Sequence, residues 1–470
     1  MDMADASAGT LGGKERISPA GKRAIAGAII GWVVDFYDIY LPAGALTPAL
    51  AFFLPETVPA PIRATVLGVI VVVTLFGRPI GAFIFGHFGD VIGRKRAALM
   101  AIAGFGLMTL LMALMPGYAT WGIAAVVILT VMRLIGGIFM GGEYTAANPL
   151  AMEYTPHRLR GIVGSAIQAA YPMSAIFVFF ITALTFNIAP LGGVNSAYVQ
   201  WGWRIPFFIG AGLAGLFFIY YWRTVEESKI WERSTKEQAV KAPLRVLFSG
   251  SNLRVLAQIC VLGTGGWFMS QTTITNLVPL LVTVLKVPAA PLAVTLLFAN
   301  VVLVFATLAV GQLGQWFGRR PWLIAGGLWT LTAGAVIYYL LIANVLAQGS
   351  LVLSLALAAL AWVVILAPIA QVTTYVNERF PTGIRASAYG VGYTLPVVIP
   401  GFTNFYLLGL SKFMPYPYTI LVIVFVGGLL FAIGGAIGPE TRDVEFTSRA
   451  LDVVETRETE AAGEWRPELS

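Results

Sequence analysis

The sequence predicts an all-α membrane protein with twelve transmembrane helices in two pseudo-symmetric six-helix bundles. Three observations carry this. First, 58% of the 470 residues are hydrophobic and only 11% are charged, a balance far too apolar for a soluble domain. Second, twelve apolar segments, each near the ~20 residues that a bilayer-spanning helix needs, fall at about 24–53, 64–87, 97–116, 121–151, 162–189, 203–223, 253–285, 291–314, 320–345, 350–379, 385–410 and 417–438. Third, the chain repeats itself. The stretch Gly86-His87-Phe88-Gly89-Asp90-Val91-Ile92-Gly93-Arg94-Lys95-Arg96 ends an apolar helix in a glycine-punctuated turn, and it returns as Gly311-Gln312-Leu313-Gly314-Gln315-Trp316-Phe317-Gly318-Arg319-Arg320, an offset of 225 positions. Glu153, Pro156 and Arg160 map onto Glu378, Pro381 and Arg385 by the same offset. Two unrelated loops that keep one offset point to a tandem duplication, the parallel-repeat architecture of some transporters.

In chain order, residues 1 to about 21 are polar and small and predict a cytoplasmic tail that ends at Lys22-Arg23. The first apolar run is long enough to remain as a span, so no cleavable signal is expected. Arg94, Lys95, Arg96, Arg158, Arg160, Arg319, Arg320, Arg379 and Arg385 crowd the loops on one side, against Arg63, Lys286, Lys412 and Arg204 on the other. The basic side is the cytoplasmic one, and it places both termini in the cytoplasm. The longest internal polar interval, Arg223 to Ser251, joins the halves, and Val225-Glu226-Glu227-Ser228 with Trp231-Glu232-Arg233 suggests an amphipathic surface helix there. The organisation is therefore a tail (1–22), a first bundle (23–223), a linker (224–252), a second bundle (253–440) and a tail (441–470). The lack of a cleaved signal fits a bacterial inner membrane.

Composition excludes several function classes. A net charge of +7 and a pI near 9.4 suggest nucleic acid, but the bases lie in short loops between apolar runs, so no nucleic-acid partner is expected. The single cysteine, Cys260, rules out an internal disulfide, and His87 and His157 are both in loop regions. No metal, cofactor or nucleophile–histidine pair is expected at membrane depth, which argues against an enzyme. Gly136, Gly137, Gly141 and Gly142 predict faces for close helix packing, not a phosphate cradle, because no strand precedes them.

Charges inside the apolar runs are the candidate chemistry. Asp35 lies 12 residues beyond Arg23, roughly 18 Å at 1.5 Å per residue, hence near the midplane. Asp38, three residues on, shares its helix face. Arg133 reaches the same depth in the fourth span, counted from Trp121. An isolated charge there costs at least ~2.5–3.5 kcal/mol, so each needs a partner or a wet cavity. Asp35 with Arg133 is the expected proton-coupling pair, with Asp38 and Glu143 as further coupling candidates, since a carboxylate titrates as a guanidinium approaches or leaves while arginine keeps its proton; a static buried ion pair is the plainer alternative. Arg78, roughly 20 Å into the second span from Thr65, and Glu143, low in the fourth, either pair with each other or leave Arg78 for an anionic substrate. The positions 225 residues after Asp35 and Arg133 are the uncharged Cys260 and Ala358, so coupling belongs to the first half. Neutral polar and aromatic residues at depth are the expected substrate contacts: Tyr37, Tyr144 and Asn148, Gln168 and Tyr171, Trp267, Gln271 and Asn276, Tyr375 and Asn377, Tyr393 and Asn404. For any single one of these, an interhelical hydrogen bond is the plainer role.

The Gly-x-x-x-Asp-x-x-Gly-Arg-Lys loop resembles the loop between helices 2 and 3 of the major facilitator superfamily. The wider Arg78-Pro79-Ile80-Gly81 to Asp90 context resembles its metabolite–proton symporter branch. The resemblance runs from about Gly21 to Arg442 and implies the major facilitator fold, alternating access and a monomer carrying a small metabolite with protons. It implies a cytoplasmic gate in which Asp90, Arg94, Glu153, Arg160, Glu227, Glu378, Arg385 and Glu440 bridge the halves; loop anchoring is the alternative. The branch carries organic acids and also zwitterions such as proline or betaine, and the deep arginines favour a carboxylate here. A uniporter, an exporter of sugars or drugs, and a non-transporting metabolite sensor are the rivals. The chain departs from the family pattern at Gln315 and Val91, which predicts a weaker second gate. It departs also in helix 1, where Asp35-Phe36-Tyr37-Asp38-Ile39 stands for Glu-Trp-Tyr-Asp-Phe, and at Tyr144-Thr145-Ala146-Ala147.

Overall fold

The computed structural model describes residues 17–225, 243–444 and 446, apart from 56, 59, 382 and 383. Among the described residues, twelve helices are long and apolar enough to span a membrane: α1 Pro19–Phe52, α2 Val66–Gly86, α3 Lys95–Ala113, α4 Ala124–Glu153, α5 His157–Ile188, α6 Tyr198–Thr224, α7 Gly250–Val282, α8 Pro291–Phe317, α9 Arg319–Leu346, α10 Leu351–Arg379, α11 Arg385–Leu410 and α12 Tyr416–Ala436. They form two six-helix bundles. Ser18 caps α1 by accepting a hydrogen bond from Gly21 N, with Pro19 at the first helical position. Many large apolar side chains, Leu216, Phe305 and Val352 among them, face outward from the bundles, as a lipid-facing surface requires.

The duplication is visible in the backbone. Gly93 and Gly318 precede α3 and α9 at φ 104° and 101°, a region that residues with a Cβ rarely adopt. They are 225 positions apart, so the two copies of the loop use the same turn.

Small residues set the spacing of α2 and α4. A Cβ added at Gly81 would lie 1.8 Å from Ile138 O, one at Gly137 2.1 Å from Thr74 O, and one at Gly141 2.2 Å from Arg78 O. Without a hydrophobic drive between helices in lipid, such backbone contact supplies the association. It also delivers Arg78 into the bundle interior, where it is 1% exposed. Because the colliding atoms at Gly81 are backbone, Gly81→Ala is expected to cost at least the ~1–3 kcal/mol of overpacking, read as a lower Tm of the purified protein.

Several spans are not plain α-helix where they border the interior. The α7 helix widens into π turns at Gln271–Thr275 and Leu280–Val284, and α10 tightens to 3-10 geometry at Ala367–Gln371. Such irregular turns interrupt the i to i−4 ladder and are frequent at functional sites. Residues 226–242, which hold most of the expected amphipathic linker helix, lie outside the described residues.

Candidate functional site

The α1 helix carries two acids in its buried centre, and each is taken by a different helix. Arg78 Nη2 of α2 lies 3.2 Å from Asp35 Oδ2. Arg133 Nη1 of α4 lies 2.5 Å from Asp38 Oδ2 and also donates to Asp38 O at 3.2 Å. The Thr109 hydroxyl of α3 donates to Asp38 Oδ1 at 2.6 Å. This corrects the expected Asp35–Arg133 pairing. Depth counted from helix ends is uncertain by about a turn, and one turn is what separates Asp35 from Asp38. Of the two alternatives for Arg78, a hydrogen-bonded pair with Glu143 is not formed: the two Glu143 carboxylate oxygens have no hydrogen-bond partner among the described residues, although the side chain is fully buried.

Beside these pairs lies a cavity of about 570 Å³, mouth included, between the two bundles. Its walls include Phe36 of α1, Gln168 and Tyr171 of α5, Trp267 and Ser270 of α7, and Tyr393 of α11. The rings meet at steep angles: Trp267 and Tyr393 lie 5.9 Å apart at 69°, Phe36 and Tyr171 5.8 Å apart at 51°. Trp32 backs the wall, 5.5 Å from Tyr393. The Tyr171 hydroxyl is buried and has no partner among the described residues. The Arg78 guanidinium lies 5.9 Å from the Phe36 ring, behind this wall of the cavity.

Of the residues expected to contact substrate, the cavity gathers Gln168, Tyr171, Trp267 and Tyr393. The others whose side chains are described face elsewhere. The Tyr37 hydroxyl donates to Pro206 O at 3.0 Å, and Tyr375 donates to Pro439 O at 3.2 Å. Asn276 donates to Gln271 O at 2.8 Å, and Gln271 accepts from Thr275 within the widened turn of α7. Asn377 donates back to Thr373 O, and Asn404 lies near Gly68. Asn148 donates to the Tyr389 hydroxyl at 3.2 Å, across the seam between the bundles. The side chain of Tyr144 lies outside the described residues. Phe36, Thr109, Thr373 and Tyr389 were missed. Trp32 with Phe36 and Tyr389 with Tyr393 each sit four apart on one helix face, which is the signal that points to the aromatic pair.

At the end that carries both termini the bundles are closed. Glu153 Oε1 accepts from Arg385 Nη1 at 3.0 Å, joining α4 to α11. Gly161 N donates to Gln315 Oε1 at 3.1 Å, and the Thr374 hydroxyl donates to Arg160 O at 3.3 Å. Above them, Thr373 donates to Gln168 Oε1 at 2.8 Å. Two expected bridges are instead internal to the second half. Arg319 Nη2 pairs with Glu378 Oε1 at 3.2 Å, and Glu440 accepts from Arg319 N and Arg320 N, capping α9. The physical reason is the open N-terminus of α9, whose unpaired N–H groups attract a carboxylate. Gln315, expected to weaken the second gate, joins the halves as a neutral acceptor. Arg160 donates to Val444 O at 2.6 Å and stacks on Phe446, whose ring centroid is 3.4 Å from Arg160 Cζ and 3.9 Å from Arg385 Cζ. The side chains of Asp90 and Arg94, and all of Glu227, lie outside the described residues.

The model of the sugar (and other) transporter family matches residues 24–243. The inner membrane metabolite transport protein YhjE of Escherichia coli is 28% identical over 410 residues, covering 84% of this chain and 89% of the relative. A proline/betaine transporter of Salmonella typhimurium is 27% identical over 442 residues, covering 88% and 83%. The structure of the proton:xylose symporter XylE of E. coli superposes with a TM-score of 0.70 at 19% identity, covering 93% of this chain and 100% of that one. Such relatives are transporters and not enzymes. Twelve spans among the described residues, a 225-position offset kept by two loops and by the turns at Gly93 and Gly318, and the structural neighbours give the chain the major facilitator fold, and the family model and relatives support a membrane transporter of that superfamily.

Proposed function

We propose that this transporter belongs to the metabolite–proton symporter branch and moves a small organic carboxylate with protons by alternating access. The observation that carries the reading is the pair of acid–arginine contacts on α1, Asp35 with Arg78 and Asp38 with Arg133, placed against a cavity wall formed by Phe36 between them in sequence. A proton taken up by the buried acids around Arg78 lowers the negative charge that holds it, and arginine cannot itself release the proton. Arg78 is then available to a substrate carboxylate, so proton and substrate favour the same state. The residues Tyr37, Asn148, Gln271, Asn276, Tyr375, Asn377 and Asn404 are proposed as supports of the site, with Gln168, Tyr171, Trp267 and Tyr393 as its contacts. Basic loops at the terminus-bearing end support a cytoplasmic placement of both termini, and the monomer is taken as the working unit.

A second reading has its own observation. Four aromatic rings line the cavity and, among the described residues, no acidic or basic side chain does. Ring faces attract onium cations, so a zwitterion with a methylated ammonium group is the alternative substrate.

Reconstituted protein with an imposed pH gradient, offered labelled succinate, glycine betaine, proline and xylose, tests both readings. Asp35→Asn is expected to keep counterflow exchange of the accepted substrate and to lose pH-driven accumulation. Unaffected accumulation in that variant overturns the coupling role. Xylose uptake with the acids silent would overturn the branch assignment.

A further inference from the structure

Among the described residues, three acids and two bases are buried at depth in the first bundle: Asp35, Asp38 and Glu143 against Arg78 and Arg133. Both arginines are already paired, with Asp35 and Asp38. Glu143 is the odd charge, and it accepts no hydrogen bond from any described residue. An ionised carboxylate in this setting would be both unsolvated and uncompensated, which buried sites avoid by neutralising the group. We propose that Glu143 is the site that holds the transported proton in the state seen here, while Asp35 stays ionised on Arg78. This rests on the proton-coupled reading above and names the proton's seat within it.

The surroundings fit a proton site. The Glu143 carboxyl is pressed onto α1 at Gly31, where an added Cβ would lie 1.9 Å from Oε1, so only glycine admits it one turn before Asp35. From α2, Arg78 is its basic electrostatic neighbour, and from α1, Asp35 is its acidic one. On α6 the ring of Phe217 covers the same notch. On its own helix, Arg133 is committed to Asp38. From α11 it faces Tyr389, a phenol already bonded to Asn148 and Thr373.

The exit is the seam below. Asn148, one and a half turns further along α4, and Thr373 of α10 meet at the Tyr389 hydroxyl, and Thr373 also reaches Gln168 of α5. These bonds join the two bundles and separate Glu143 from the closed terminus-bearing end. When the bundles part there, the bonds break and water reaches Glu143. The O–H bond then breaks, the proton leaves to water, and the carboxylate left behind shares Arg78 with Asp35. Reprotonation restores the balanced cluster.

Infrared hydrogen–deuterium difference spectra of the purified full-length protein in lipid nanodiscs, at neutral pH and with no substrate, test this directly. The wild type is expected to show the C=O stretch of a buried protonated carboxylic acid. Glu143→Gln should abolish that band. Asp35→Asn should abolish it too, because Glu143 then ionises to balance Arg78; a purely structural Glu143 would not respond. Gly31→Ala should shift its frequency. If Glu143→Gln does not fold, Glu143→Asp should keep the band at an altered frequency. Absence of the band in the wild type, or its survival in Glu143→Gln or Asp35→Asn, overturns the proposal. In transport, Glu143→Gln should lose pH-driven accumulation of succinate or glycine betaine, whichever the wild type accumulates, by at least tenfold while retaining counterflow. A wild type that accumulates neither would sink proton symport itself, with the infrared result still deciding where the proton sits.

Discussion

Replacing Arg133 with methionine is expected to destabilise the detergent-solubilised protein by ~3–5 kcal/mol, the cost of leaving one partner of a buried ion pair uncompensated. Asp38 would keep only the Thr109 hydroxyl as a donor. Methionine has nearly the length of the arginine stem, so the loss reports charge more than volume. The double variant Arg133→Met with Asp38→Asn removes both charges and should recover more than half of the loss. Chemical denaturation of the three proteins under one set of conditions reads this out. A single variant as stable as wild type would mean that Asp38 does not depend on Arg133. Asp35→Asn is expected to behave differently from Asp38→Asn, because it unbalances a different helix contact, α1 to α2.

Replacing Arg385 with alanine is expected to open the terminus-bearing end. Arg385 joins the bundles through Glu153 and packs on Phe446, and it is 2% exposed. A pair at this depth is worth ~2 kcal/mol, between the ~0–1 of an exposed pair and the ~3–5 of a buried one. That shifts a two-state rocking equilibrium by ~30-fold. Thr374 lies in the closed seam, against Arg160 O and Gly164. In a Cys260→Ser background, Thr374→Cys should react slowly with a water-soluble thiol reagent, and Arg385→Ala should speed that reaction by more than tenfold. Equal rates would show that Glu153–Arg385 is a loop anchor and not a gate contact.

How much was legible beforehand differs between fold and site. The twelve spans are read from run length, since a bilayer demands the same ~30 Å of apolar helix wherever it occurs in the chain. The repeat is read from loop spacing, and the turns at Gly93 and Gly318 repeat in backbone angles. Helix packing at Gly137 and Gly141 is legible because only a missing Cβ lets two backbones touch.

Partner choice among the buried charges was not legible. Sequence places Asp35, Asp38, Arg78 and Arg133 at similar depths and Glu143 lower, but azimuth and helix neighbours decide which of them meet. The close α2–α4 contact turns Arg78 toward Asp35, and Arg133 is left one turn further along at Asp38. The same holds at the gate, where Glu440 caps α9 instead of crossing the seam. It holds again at the cavity, where four of the expected contacts converge while Tyr37, Asn148, Gln271, Asn276, Tyr375 and Asn377 bond to their own bundle or to the seam between the two. Sequence by itself determined the membrane, the number of spans, their duplication and the charges that must be satisfied. Only the tertiary structure decided which charge satisfies which and which acid is left without a partner. Depth along a helix is a one-dimensional quantity that residue counting supplies, while pairing depends on rotation and crossing between helices far apart in the chain.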